Sequence, residues 1–271
     1  MHAFAKKTPK SEKPDSTPYT YHEIIAHRNC VRIWNQGYYR VVSIDPGEKN
    51  LAIRIEKRSY DAKNIITEVF DKHDLYSYSL INPNNEKNCN TPIYDMCINL
   101  FEQYMNYFLT SHMIIIERQL PHNYRAVRLS QSLITYFLLT LRNSSFYPMI
   151  YEIDNKLKTK QLKAPSNLTD KMTKKWAVEL CRLILNKRGD NISLEIIEKA
   201  PKRKQDDLSD TVVQIEALFK YFKLPTTFDT MDVVSESYFT VSLSNQINQI
   251  ENAQQYNSIN VSNIDLSNIK L

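Results

Sequence analysis

Glycine occurs only three times in this chain of 271 residues, at positions 37, 47 and 189. That is about 1%, where about 7% is usual. Loops that cradle phosphates depend on glycine for positive φ and for close backbone approach. Folds built on several such loops are therefore disfavoured, and neither a P-loop nor a dinucleotide fingerprint is present. No nucleotide cofactor is expected. The remaining composition is ordinary, 42% hydrophobic and 24% charged, enough to bury a sizeable core. No apolar run approaches the length of about eighteen residues that a membrane helix needs, so no membrane partner is expected. The first twenty residues lack the apolar core of a secretory signal. Cys30, Cys89, Cys97 and Cys181 form no C-x-x-C pair and lie at no zinc spacing from the histidines, which fits a reducing, intracellular setting.

Periodicity divides the chain. Residues 1–37 open with Lys, Pro, Ser and Thr and read as an extension, largely disordered. Tyr39–Ile44 reads as a strand that ends in Asp45-Pro46-Gly47, Leu51–Glu56 as a second and Ile65–Phe70 as a third, together an antiparallel meander. An Asn/Pro-rich loop covers residues 82–92. Pro92–Leu109 has helical spacing, with Met96, Leu100, Tyr104, Tyr107 and Phe108 on one stripe. His112–Ile116 is apolar throughout, as a strand buried on both faces would be, and stops at Glu117. A helix over Tyr124–Arg142, a strand over Phe146–Ile153, and helices over Leu168–Lys187 and Asp207–Phe222 follow. The order predicts an α/β domain over residues 38–225 with a mixed sheet of about five strands. Residues 226–271 form a polar tail rich in Asn, Ser and Gln.

Charge is uneven. The whole chain carries 35 basic and 30 acidic residues, a net +5. Between Lys156 and Arg188, ten Lys/Arg face two acids, a local +8. Lys199–Lys204 adds +4 in six residues. Basic runs are usually solvated faces, but two that flank an acidic motif point to a polyanion.

The acids themselves sit at element ends. Asp45 ends the first strand and Glu117 the fourth. Asp207 and Asp210 share one face of the last helix. If strands one and four are neighbours, their terminal carboxylates converge at the sheet edge where ligands of α/β proteins bind. Each acid has a plainer explanation singly: turn former, salt-bridge partner of Arg118, or helix-dipole residue. Together they resemble a cation site, because clustered carboxylates stay ionised only beside positive charge. Oxygen-only ligands suit Mg2+.

The residues around these acids carry a resemblance. Ser43-Ile44-Asp45-Pro46-Gly47-Glu48-Lys49-Asn50-Leu51-Ala52 resembles the first motif of the RuvC-type Holliday junction resolvases. Ile116-Glu117-Arg118-Gln119 is similar to the second motif in the poxviral, large-DNA-virus and fungal mitochondrial branch. Lys204-Gln205-Asp206-Asp207-Leu208-Ser209-Asp210 is similar to the third, with Gln205 in place of a usual lysine. The likeness covers about residues 39–222. It implies a ribonuclease H-like fold, a homodimer, and four-way branched DNA as substrate. The implied reaction is phosphodiester hydrolysis with two Mg2+ ions per site, Mn2+ being an accepted substitute, leaving 5′-phosphate and 3′-hydroxyl ends. It assigns catalysis and metal binding to Asp45, Glu117, Asp207 and Asp210. Asp206 is then an extra acid, read as a helix cap. By region, Lys156, Lys158, Lys174 and Lys175 are expected to contact DNA, as are Arg118, Gln119, Arg125 and Arg128.

Three other readings compete. One is a different ribonuclease H-like nuclease, acting on RNA–DNA hybrids or as a transposase. A sugar-kinase or actin-like ATPase would need glycine loops the chain lacks. The last is an inactive DNA-binding relative, against which all four acids argue. The Lys/Asn/Ile/Tyr-rich composition and the motif wording point to a large DNA virus, hence to replication sites in host cytoplasm, with mitochondria as the alternative. The helix over Tyr124–Arg142, apolar on more than one face, is the candidate dimer interface.

Overall fold

A computed structural model describes residues 37–78, 92–144 and 147–229. The expected N-terminal extension, Cys30, Cys89, most of the Asn/Pro-rich loop and the polar tail beyond residue 229 lie outside the described residues. Five strands, β1 (Tyr38–Asp45), β2 (Leu51–Ser59), β3 (Ile65–His73), β4 (Met113–Glu117) and β5 (Met149–Ile153), form one sheet in the order β3-β2-β1-β4-β5. β1, β2 and β3 pair antiparallel, whereas β1–β4 and β4–β5 are parallel. The helices are α1 (Pro92–Glu102), α2 (Met105–Phe108), α3 (Tyr124–Leu141), α4 (Lys156–Gln161), α5 (Asp170–Arg188), α6 (Asn191–Lys199) and α7 (Gln205–Tyr221). A mixed five-stranded sheet flanked by helices is thus present, the ribonuclease H-like arrangement expected. No described helix is long and apolar enough to cross a membrane.

Strand periodicity assigns the layers. Val42, Ile44, Ile114 and Ile116 point to one face and pack with Leu129, Leu133, Phe137 and Leu141 of α3 and with α1. Val41, Met113 and Ile115 point to the other, against Ile215, Leu218 and Phe219 of α7. The far side of α7 packs on α5, through Trp176, Leu180 and Ile184 against Leu208, Val212 and Val213. Enclosed on two sides, α7 is buried from Thr211 to Phe219, and its buried polar residues Gln214 and Glu216 are bonded within the molecule. Glycine appears where geometry demands it. Gly189, at φ 68°, caps the C-terminus of α5, its N–H bonding to the Asn186 carbonyl at 3.0 Å.

Two expected boundaries shift. The helix expected over Pro92–Leu109 breaks at Gln103-Tyr104. There i→i+3 bonds (Gln103 N to Leu100 O, 3.2 Å; Tyr104 N to Phe101 O, 3.0 Å) tighten the last turn, and α2 starts in a new direction that buries Phe108. The strand expected from Phe146 begins at Met149, directly after Pro148, which has no N–H to give a ladder. The α3 face put forward as a dimer interface is largely used within the monomer. Leu129, Leu133, Phe137 and Leu141 are buried in the core, and Leu138 is left 45% exposed.

The polar side of β2 does not face water. Arg54, Glu56 and Arg58 are fully buried beneath α5 and α7. Arg54 Nε donates to Glu56 at 2.8 Å, Arg58 to Glu216 at 2.8 Å and Arg188 to Glu56 at 2.9 Å. Arg188 also pairs with Glu216, and Arg54 reaches Asp190 at 3.3 Å. Arg58 lies 4.2 Å from the centroid of the Phe219 ring. Three cations and three anions balance. The surrounding guanidinium groups hold the Glu56 carboxyl at about 2 despite its burial.

Candidate active site

The parallel register of β1 and β4 builds the site. Ile44 pairs with Ile116, so Asp45 and Glu117 come next, side by side at the C-terminal ends of two central strands. Both belong to the odd-numbered set that faces α7. Asp207 and Asp210 sit in the first two turns of α7, which crosses that end. One carboxylate oxygen from each of Asp45, Glu117 and Asp210 lies within 4.8 Å of the others. Asp207 stands one turn away and is outside that trio. Its Oδ2 is buried without a hydrogen-bond partner. Gly47 follows directly, in a turn so tight that a Cβ there would lie 3.2 Å from the Asn50 carbonyl oxygen.

The electrostatics are those of crowded anions. Burial raises the Asp45 carboxyl well above its usual range, and Glu117 and Asp210 add to this. Burial lifts Asp207 to about 7, with neighbouring Asp206 adding repulsion. Asp210 rises to about 6, mainly through burial, although Lys158 pulls the other way. Lys158, at the centre of α4, is buried among them. Its Nζ lies 2.8 Å from Asp210 and 3.1 Å from Glu117, and these carboxylates raise the ammonium pKa despite its desolvation.

A testable consequence is a stability that depends on pH in the absence of metal. Raised carboxyl pKa values mean that the folded state holds protons the unfolded chain has released. Stability is then fully present below the unfolded value of about 4 and declines as pH rises through about 6 to 7. Thermal melts of metal-free protein should show this decline, Mg2+ should reverse it, and Asp207→Asn should flatten it.

The other expected residues separate into groups. Gln119 points into the site, its Nε2 donating to Asp45 Oδ1 at 3.3 Å. Lys174 is exposed and pairs with Asp206 at 2.6 Å. Asp206 lies in the first turn of α7 but is not its cap, a position held by Lys204 without a side-chain bond. Lys156 and Lys175 are exposed, Lys156 at the start of α4 and Lys175 early on α5. Arg118 lies 3.5 Å from Glu152, and Arg125 lies 3.6 Å from Glu48. Arg128 stands 5.7 Å from the Tyr94 ring centroid. None of these three arginines reaches the acidic trio.

Sequence reading missed the supports. Tyr76 O–H donates to Glu48 at 2.9 Å and so braces the turn after Asp45. Buried Ser43 and Gln214 form hydrogen bonds beneath the carboxylates. The available signal was spacing: Ser43 is two residues before Asp45 on a strand, and Gln214 is four after Asp210 on a helix.

No protein-family model matches the chain. Over 129 residues it is 33% identical to uncharacterized protein 97L of Invertebrate iridescent virus 3, a match covering 46% of this chain and 58% of that relative. The chain therefore matches little more than half the length of this curated relative. Among solved structures it resembles the yeast mitochondrial Holliday junction resolvase Ydc2, at TM-score 0.49 and 15% identity, covering 83% of this chain and 92% of that one. It also resembles Thermus thermophilus RuvC, at TM-score 0.45 and 11% identity, covering 68% and 97%. The Fowlpox virus resolvase, solved with Holliday junction DNA, aligns at TM-score 0.43 and 16% identity over 66% and 98%. The chemistry rests on the side chains described above.

Proposed function

We propose that this chain is a structure-selective endodeoxyribonuclease that resolves four-way DNA junctions by divalent-metal-dependent hydrolysis. The observation that carries the reading is the meeting of Asp45, Glu117 and Asp210 within 4.8 Å at the C-terminal ends of β1 and β4, with Asp207 one turn away. Three motifs far apart in sequence converge there.

The donor set fits Mg2+, since every candidate ligand is an oxygen and the carboxylates are strained by mutual repulsion. Asp45, Glu117, Asp207 and Asp210 would hold two ions, with Mn2+ able to substitute. When bound, such ions would lower the pKa of the attacking water and stabilise a leaving 3′ oxygen, so that the P–O3′ bond breaks and the ends carry 5′-phosphate and 3′-hydroxyl. The chain's own residues supply the rest. Lys158 sets a fixed positive charge against Glu117 and Asp210. Gln119 holds Asp45 by its amide. Lys156, Lys174 and Lys175 offer exposed ammonium groups to the DNA backbone, and Arg118, Arg125 and Arg128 line the approach from the α3 side. A homodimer would bring two such sites to the two strands of like polarity in a junction. The place of action is then intracellular, viral replication sites in host cytoplasm or mitochondria.

The deciding experiment incubates the purified protein with labelled four-way junction, linear duplex and RNA–DNA hybrid, with and without Mg2+. Paired, Mg2+-dependent cuts in the junction alone are expected. Preferential cutting of the hybrid would favour another ribonuclease H-like nuclease, and binding without cutting an inactive relative. Sedimentation of the protein–junction complex reports the dimer.

DNA affinity should fall steeply with salt. Each phosphate neutralised adds about 0.9 to the slope of log affinity against log salt. The triple variant Lys156→Gln, Lys174→Gln, Lys175→Gln is expected to flatten the slope, as measured by fluorescence anisotropy from 50 to 200 mM salt. An unchanged slope would mean these lysines face only solvent.

A further inference from the structure

Beneath the acidic cluster lies a second layer of buried polar side chains. Ser43 lies on the same face of β1 as Asp45. Gln214 lies on the same face of α7 as Asp210, one turn further into the molecule. Both side chains are fully buried. The Ser43 hydroxyl donates to Gln214 Oε1 at 2.9 Å, and Gln214 Nε2 donates to Glu117 Oε2 at 3.0 Å. The surroundings fix the direction of this chain. The amide turns its nitrogen towards a Glu117 oxygen, an acceptor, and its oxygen towards a donor, the Ser43 hydroxyl. The other oxygen of Glu117, Oε1, faces Lys158 at 3.1 Å. A polar residue is costly at such a position unless its bonds are made. Its neighbours on α7, Val212, Val213 and Ile215, are all apolar.

We infer that Gln214 is a positioning residue for Glu117: its amide, oriented by Ser43, fixes one carboxylate oxygen and leaves Oε1 turned to the cluster as the ligand atom. This role rests on the metal-site reading above and adds to it a supporting pair that the motifs do not include. Partners of metal-ligating groups commonly account for about 10–100-fold in metal affinity.

The test is Mn2+ titration of the full-length protein by electron paramagnetic resonance, with circular dichroism melts as the control for folding. Gln214→Met keeps the length of the side chain and removes the amide. It should weaken Mn2+ binding by about 10–100-fold. Ser43→Ala, which deletes a single hydroxyl, should weaken it by less. In a Glu117→Gln background, Gln214→Met should add no further loss, an outcome that a merely structural role would not give. A folded Gln214→Met protein with wild-type Mn2+ affinity overturns the inference. Should that variant fail to fold, wild-type affinity in Ser43→Ala overturns it equally. If the wild-type protein takes up no Mn2+ at all, the metal reading of the cluster falls and takes this role with it. That failure appears in the wild-type titration, before any variant is compared.

Discussion

Junction cleavage should drop by on the order of 10^3-fold or more in each of Asp45→Asn, Glu117→Gln, Asp207→Asn and Asp210→Asn, with junction affinity nearly unchanged. The size follows from the chemistry. Losing a ligand that holds a catalytic cation removes several kcal/mol of transition-state stabilisation, and each 1.36 kcal/mol is a factor of ten. The separation of cleavage from binding follows from placement. The acids sit at the strand ends, whereas the exposed lysines on α4 and α5 face outward. Asp206→Asn serves as the control. Its carboxylate is engaged by Lys174 at 2.6 Å, so most activity should remain. Single-turnover cleavage of a labelled junction, with affinity measured in Ca2+, reads both quantities. Normal turnover in Asp45→Asn or Glu117→Gln would end the assignment of this site.

Glu216→Ala should lower folding stability by about 3–5 kcal/mol, the usual result of breaking a buried ion pair from one side. Whole domains are stable by only about 5–15 kcal/mol, so the variant should be close to unfolding at body temperature. Glu216 accepts from Arg58 at 2.8 Å, from Arg188, and from the Thr227 N–H at 2.9 Å. Its removal leaves three buried guanidinium groups, those of Arg54, Arg58 and Arg188, around Glu56 and unties the segment that follows α7. A matched surface change makes the contrast. Lys199→Ala breaks an ion pair with Glu195, but both side chains are well exposed, at 74% and 64%, so its midpoint should not move. Guanidinium unfolding at constant slope measures both variants. Equal midpoints would show that the buried network adds nothing to stability.

The sheet and the acidic site were largely legible in the sequence because both rest on short-range rules. Alternation in Leu51–Glu56, the apolar run at Ile114–Ile116 and the turn at Asp45-Pro46-Gly47 mark strands by themselves. The polar half of β2 was not legible. Arg54, Glu56 and Arg58 carry the pattern of a solvated face, and only the pairing with Arg188 and Glu216, more than 100 residues away, makes their burial tolerable. Lys158 reads in the sequence only as a DNA contact, whereas it is buried between Glu117 and Asp210. It looks like one of ten basic residues in its region, and only the docking of α4 against α7 separates it from Lys156. Gln214 is one of several polar residues on α7, and sequence alone cannot tell it from a surface position.

The helix α7 supplies two of the four carboxylates and also covers the sheet face on which the other two stand. A nascent chain has emitted Asp45 and Glu117 long before residues 205–221 leave the ribosome. Until then the two strand-end acids have no partners on α7. On the proposed function, cutting power would be withheld until residues 205–221 have been made and this one segment has docked, so that a chain truncated before it would carry only half of the carboxylates.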